Sequence, residues 1–202
     1  MDMNALFKLS YGLFVLTARE GQKDNGCIIN TCMQLTSTPA RIQVVVNKDN
    51  LTHDMIKNTG VFNVSVLTEE ATFWIFQHYG FQSGRDVDKF ENLPEVRTEN
   101  GLRYAIGCTN AVISGRVTDT VDCGTHTIFI AEVTEAKVLE ATPSTTYQYY
   151  FDNIKPKPAP SEVESWVCKV CNYVHEGPLP EDFICPWCKH GTEVFEKVQQ
   201  DN

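Results

Sequence analysis

Long apolar runs are missing from this chain of 202 residues. A helix that crosses a bilayer needs about 20 consecutive apolar residues, so none is expected. Basic residues are scarce: 17 Lys and Arg stand against 26 Asp and Glu, a net charge of −9. An acidic chain is poorly suited to neutralising a phosphate backbone, so nucleic acid is not an expected partner. The opening Met1-Asp2-Met3-Asn4 has neither the basic patch nor the apolar core of a secretory signal, and a cytoplasmic location is expected. None of the twelve glycines falls into G-x-G-x-x-G or Walker A spacing. Phosphate binding at the helix of a βαβ unit is therefore not expected.

What is present divides unevenly. Eight cysteines without a signal peptide suggest reduced thiols or metal ligands rather than a disulfide framework. Four of them follow residue 164. Pro156, Pro158 and Pro160 alternate with Lys155, Lys157 and Ala159. Each proline fixes its own φ and biases the preceding residue away from the helix, which makes a semi-rigid spacer. The expected organisation is a body over 1–151, a linker over 152–164 and a small domain over 165–202.

The body reads mainly as strands: Tyr11–Thr17, Arg41–Val46, Phe62–Leu67, Val112–Val117 and Thr127–Val133. Phe62–Leu67 alternates apolar and polar, the pattern of a half-buried strand. Asn50 is placed to cap a helix over Leu51–Asn58 closed by Gly60, and a second helix is expected over Glu69–His78, opening on two acids. Many strands with two helices predict a mainly-β barrel with helical inserts. Asn30–Pro39 is polar but short of charge, and Asn47–Thr52 joins a cation, amides and a hydroxyl at a helix start. Such segments suit a ring edge and a phosphate; they equally suit ordinary polar turns. Cys27, Cys108 and Cys123 match no ligand spacing and read as small buried residues.

In the small domain, Cys168-x2-Cys171 and Cys185-x2-Cys188 are separated by thirteen residues. Two such pairs set four thiolates around one point, and tetrahedral sulfur ligation means zinc or a single iron. Backbone N–H groups after the first cysteine of such a turn can point at its sulfur. Trp166, Tyr173, Phe183, Trp187 and Phe195 crowd the cysteines. They form either a dry shell around a redox centre or the core of a zinc-stapled mini-domain.

The run Trp166–Gly177 with Ile184-Cys185-Pro186-Trp187-Cys188 resembles a rubredoxin-type domain with the short spacer of rubrerythrin tails. Asn172 and Lys189 stand where that family usually has glycine. The resemblance implies one Fe(III)/Fe(II) ion held by Cys168, Cys171, Cys185 and Cys188. In the body, Tyr11–Thr17, Asn30–Pro39, Asn47–Thr52, Ser83-Gly84-Arg85-Asp86-Val87-Asp88-Lys89-Phe90, His126 and Tyr147 resemble the flavin reductase-like family with the FMN-binding split β-barrel. That resemblance implies FMN near the interface of a homodimer. Asn30, Thr31 and Cys32 would line the isoalloxazine, Cys32 as a soft ring contact or else as a plain buried thiol, and Thr36 and Ser37 would bond its polar edge or the ribityl chain. Lys48, Asn50 and Thr52 would hold the phosphate. Ser83, Gly84 and Arg85 would close the site, and the catalytic role would fall to His126, beside the flavin or an incoming nicotinamide. Fusions of this kind resemble the high-molecular-weight rubredoxins of anaerobic bacteria. They imply electron transfer from NADH or NADPH to FMN, to iron, and on to a partner such as a flavo-diiron reductase of O2 or NO. Two alternatives stand beside this reading: reduction by a protein donor, and a flavin reductase with a zinc-binding interaction tail.

Overall fold

Seven strands of the body form one antiparallel sheet: β1 (Phe14–Glu20), β2 (Lys23–Ile29), β3 (Cys32–Ser37), β4 (Ala40–Asn47), β5 (Val61–Leu67), β6 (Thr109–Asp122) and β7 (His126–Val138). Their order is β2-β1-β5-β6-β7-β4-β3. The computed structural model describes residues 3–156, 164–170, 173–186 and 190–198. Contacts divide the chain between Ile154 and Lys155 into two units. Among the described residues, no helix is long and apolar enough to cross a membrane.

β2 and β3 are consecutive in sequence yet occupy opposite ends of the sheet. One interior cluster still takes Cys27 and Ile29 from β2 and Ile42, Val44 and Val46 from β4, with Leu16, Phe62, Val64 and Phe129 between them. Sharing one interior forces the sheet to curl until its ends approach. The result is the expected split barrel, open between β2 and β3.

Helix α1 (Leu51–Thr59) packs Met55 and Ile56 into this interior. Asn50 precedes it in extended conformation, and Gly60 stops it at φ 73°, its N–H returning to the Ile56 carbonyl at 2.8 Å. That left-handed cap suits glycine.

A second cluster lies on the other face of β1 and β5. It joins Leu13, Val15 and Leu67 to Ile75, Phe76 and Tyr79 of α2 (Phe73–Gly80), and to Phe90 and Tyr150. β1 and β5 are thus covered on both faces. This corrects the half-buried reading of Phe62–Leu67: Asn63 and Ser65 are as fully buried as their apolar neighbours. Helix α2 also starts later than the acids suggest. The Glu69 N–H donates to the Pro143 carbonyl, and Thr68 bridges Ser144, so β5 pairing extends over the positions where the helix was expected to begin. A turn at Tyr147–Tyr149 runs into a π-helical segment at Tyr150–Ile154. Ile154 packs against the second cluster, so residues 152–154, read as linker, continue the body.

The second unit has a three-stranded antiparallel sheet, β10-β8-β9, from β8 (Ser165–Cys168), β9 (Val174–Glu176) and β10 (Phe195–Lys197). Phe183 packs on it, with ring centroids 5.4 Å from Phe195 and 4.5 Å from His175. The proline run beyond Pro156, together with Cys171, Asn172, Trp187, Cys188 and Lys189, lies outside the described residues.

Candidate functional sites

The split in the barrel carries a cleft of ≈ 140 Å³ lined by Ile28, Ile29, Asn30, Thr31, Val45, Asn47, Asn50 and His126. The topology explains the convergence. Asn30 and Thr31 cross the split from β2 to β3. Thr31 is held in place by bonds to Val45 in both directions, its hydroxyl donating to the Val45 carbonyl at 2.9 Å and its carbonyl accepting from the Val45 N–H at 3.1 Å. Asn47 ends β4 directly opposite His126 at the start of β7, and Asn50 stands at the head of α1. The His126 Nδ1 lies 2.9 Å from the Thr125 hydroxyl. The floor is apolar, the rim offers three amides and an imidazole, and Asn50 brings the head of α1, where a helix leaves backbone N–H groups without intrahelical partners, to that rim. This composition fits one edge of a flavin: an apolar face for the ring and donors for its heteroatoms and phosphate. Ile28, Ile29 and Val45 were not foreseen as lining residues, and Asn47 only as part of the Asn47–Thr52 segment. The pairing of Asn47 with His126 is a long-range register that no local pattern carries.

Other residues expected at the site stand differently. Cys32 is half-buried, and burial pushes its thiol up to about 12, so it is a neutral thiol packed against the interior cluster rather than on the cleft lining. Thr36 and Ser37 lie in β3, which is an exposed edge strand rather than a polar turn, and the Thr36 hydroxyl donates to the Pro39 carbonyl. Thr52 is fully buried and accepts from the Asn25 side chain at 2.9 Å; its hydroxyl faces the core. Lys48 is held by Asp122 at 2.7 Å. Lys48 and the Gly124 N–H together keep the Asp122 carboxyl below the usual carboxylate range.

The Ser83–Phe90 segment packs beside α1 and the β1–β2 hairpin. Gly84 is buried, and a Cβ there would come 2.1 Å from the Asn25 Oδ1. Its carbonyl accepts from the Lys23 Nζ at 2.5 Å. The N–H of Arg85 is held by the Ser83 hydroxyl, and its guanidinium pairs with Asp54 of α1 at 2.7 Å. That bond, with a further one from His53, holds the Asp54 carboxyl below its ordinary value. His53, buried in α1, reaches Thr127 through Nε2 at 2.9 Å. Lys89 is buried and donates to the carbonyls of Gly26 and Tyr79 at 2.9 and 2.8 Å; burial pushes its ammonium down to about 8. Arg103 donates to the carbonyls of Phe90 and Leu93, and Arg97 to that of Gly101. Ser83, Gly84 and Arg85 therefore brace α1 and the hairpin, and none of the three lines the cleft. Of the three unassigned cysteines, Cys27 is buried as expected, Cys108 is half-buried at φ 59°, and Cys123 is exposed at the β6–β7 turn.

In the second unit Cys168 and Cys185 are both fully buried. Their loops close in the same way: the Cys168 N–H donates to the Tyr173 carbonyl at 2.9 Å, and the Cys185 N–H to the His190 carbonyl at 2.8 Å. Each bond spans five residues and encloses one CxxC pair. Two buried thiols in matched loops, with Cys168 paired across the sheet to Phe195, fit a tetrahedral sulfur site. Among the described residues no three ligating side chains gather, since Cys171 and Cys188 lie outside them.

The chain belongs to the flavin reductase like domain family, whose model matches residues 6–157, and its tail matches the rubrerythrin, rubredoxin-like domain over residues 166–196. It is thus a flavin reductase-like oxidoreductase fused to a rubredoxin-type domain. It is 37% identical to the high molecular weight rubredoxin of Moorella thermoacetica, over 98% of this chain and 100% of that protein. It is also 37% identical to the ferric-chelate reductase (NAD(P)H) of Archaeoglobus fulgidus, over 74% of this chain and 89% of that one. The NADH:FAD oxidoreductase of Streptomyces globisporus C-1027 shares the fold, with a TM-score of 0.62 and 23% identity over 70% of this chain and 84% of that one.

Proposed function

We propose that the protein takes electrons from NADH or NADPH at FMN in the barrel split and passes them to an iron ion in the Cys168, Cys171, Cys185, Cys188 site. From there they go to a redox acceptor of the flavo-diiron class. The observation that carries this reading is the convergence of Asn30, Thr31, Asn50 and His126 on one cleft beside the head of α1. The names of two relatives, a high molecular weight rubredoxin and an NAD(P)H-dependent ferric-chelate reductase, support the electron path. FMN supplies the conversion, accepting a hydride's two electrons and releasing them singly.

The chain's residues bind and orient. Asn30 and Asn47 offer amides to the ring edge, and Thr31, fixed by Val45, offers backbone. His126 stands at the open side, where a nicotinamide would approach. The head of α1 serves the phosphate, with Lys48 joining once it leaves Asp122. The cleft, at ≈ 140 Å³, is smaller than the 300–1,000 Å³ usual for a small-molecule site. A second copy of the chain completing it is the natural remedy. The exposed edge strand β3, which shows Met33 and Leu35 to solvent, is the apolar surface such a homodimer would cover.

An anaerobic visible spectrum before and after NADH tests the reading. Flavin bands overlaid on red Fe(III)–thiolate absorption, both bleached by NADH, are expected. Cys185→Ser should lose the red component and keep flavin bleaching. Flavin that stays oxidised for minutes removes the nicotinamide step. A colourless tail containing zinc removes the iron step.

A further inference from the structure

The second unit buries a cation against its own metal-binding turn. Lys155, the first residue of that unit, is 5% exposed. Its Nζ donates to the carbonyls of Lys169 and Val170, each at 3.1 Å. These are the two carbonyls between Cys168 and Cys171. A buried ammonium is costly unless its donors are used, so this placement is a specific one. Surface lysines of the same unit behave otherwise: Lys197 is 59% exposed and pairs with Glu164.

A trans peptide points its carbonyl and its N–H in opposite directions. With the Lys169 carbonyl turned to the ammonium, the Val170 N–H of the same peptide is turned away from it. In a CxxC turn that N–H is a donor to the first cysteine sulfur. A cation on the carbonyl polarises the peptide and strengthens that donation.

We infer that Lys155 is a positioning residue for the metal centre, setting how readily it takes an electron. The inference rests on the iron reading of the site. Reduction brings one electron from the flavin unit, converts Fe(III) to Fe(II), and takes the Fe(SCys)4 group from a net charge of −1 to −2. No proton is required. A fixed positive charge on the turn favours the more negative state.

The test is a spectroelectrochemical titration of the iron in the full-length, FMN-loaded protein. Lys155→Gln should lower the Fe(II):Fe(III) ratio at a fixed ambient potential by about tenfold, or about 59 mV for a one-electron couple. Lys155→Arg keeps the charge and should stay near the wild-type value, as should Lys197→Gln, which removes a surface charge from the same unit. An iron-loaded Lys155→Gln with an unchanged potential overturns the inference. So does an equal shift in Lys197→Gln, which would make the effect one of net charge. Loss of iron from Lys155→Gln, with iron content measured alongside, also counts against it, because Lys155 would then be a structural peg. Failure of the iron reading itself is seen separately, as a wild-type protein with no iron wave.

Discussion

At the scale of single residues, the site is shaped as much by what is already engaged as by what points into the cleft. Gly84 has no room for a side chain: an added Cβ meets the Asn25 Oδ1 at 2.1 Å and its Cγ at 2.5 Å. Turning the amide over leaves the Cγ contact in place. Gly84→Ala should therefore cost about 1–3 kcal/mol of stability, seen as a lower denaturation midpoint of the body with FMN binding weakened only in proportion. Lys48 gives a different kind of prediction. Its ammonium is neutralised by Asp122, which a bound phosphate must displace. Asp122→Asn should release the lysine and tighten FMN binding roughly threefold, while Lys48→Met should weaken it by a similar factor. Fluorescence titration at low salt reads both, and equal affinities in all three proteins would remove Lys48 from the phosphate site.

At the scale of elements, the segment between α2 and β6 is held without regular structure of its own. Asn63 on β5 is its anchor. The side-chain amide donates to the Thr98 hydroxyl at 2.7 Å, and its oxygen accepts from Ser114 and Asn100 at 2.8 Å each. Asn63, Thr98 and Ser114 are buried and Asn100 is half-buried, so Asn63→Ala leaves several polar groups unpaired. A loss of about 2–4 kcal/mol is expected, with faster amide exchange confined first to residues 97–105. Unchanged exchange there would mean that the Arg97–Asp24 pair, at 2.8 Å, holds the segment instead. This element also marks where sequence reading stopped. β4, β5, β7 and α1 were legible because their residues carry the period or the cap of the element. The late start of α2, the strand character of Cys32–Ser37 and the buried polar face of β5 were not. Two are decided by a partner far along the chain, Pro143 for Glu69 and Thr98 for Asn63, while β3 is set by its neighbour β4 across a two-residue turn, which the polar composition of Asn30–Pro39 masks. The candidate site divides in the same way. Its segments could be read, but the burial of Thr52 and the capture of Lys48 by a carboxylate 74 residues away leave no local trace.

At the scale of the whole molecule, the two units have separate cores. The two clusters of the body are built from residues up to Ile154, while Phe183, Phe195 and the buried cysteines serve the tail. Calorimetry should show two unfolding transitions, and chelation of the metal should move only the one that tracks the red absorption. A single transition shifted as a whole by chelation would contradict this. One further feature of the body bears on how such a chain tolerates change over generations. The irregular segment from Phe81 to Cys108 is pinned by Lys23, Lys89, Arg97 and Arg103, and each of them donates to backbone carbonyls. Every amino acid supplies that acceptor. Substitutions at Tyr79, Phe90, Leu93 or Gly101 leave the carbonyl in place, whereas losing one cation removes a whole pin. Drift in this segment is therefore constrained at the four donors whatever residue carries the acceptor, and at an acceptor only where its own side chain or backbone is committed, as at Gly84 and the buried Tyr79 and Phe90. A saturation library scored for FMN retention would show the four donors as intolerant, and an acceptor such as the half-buried Leu93 as more permissive than they are.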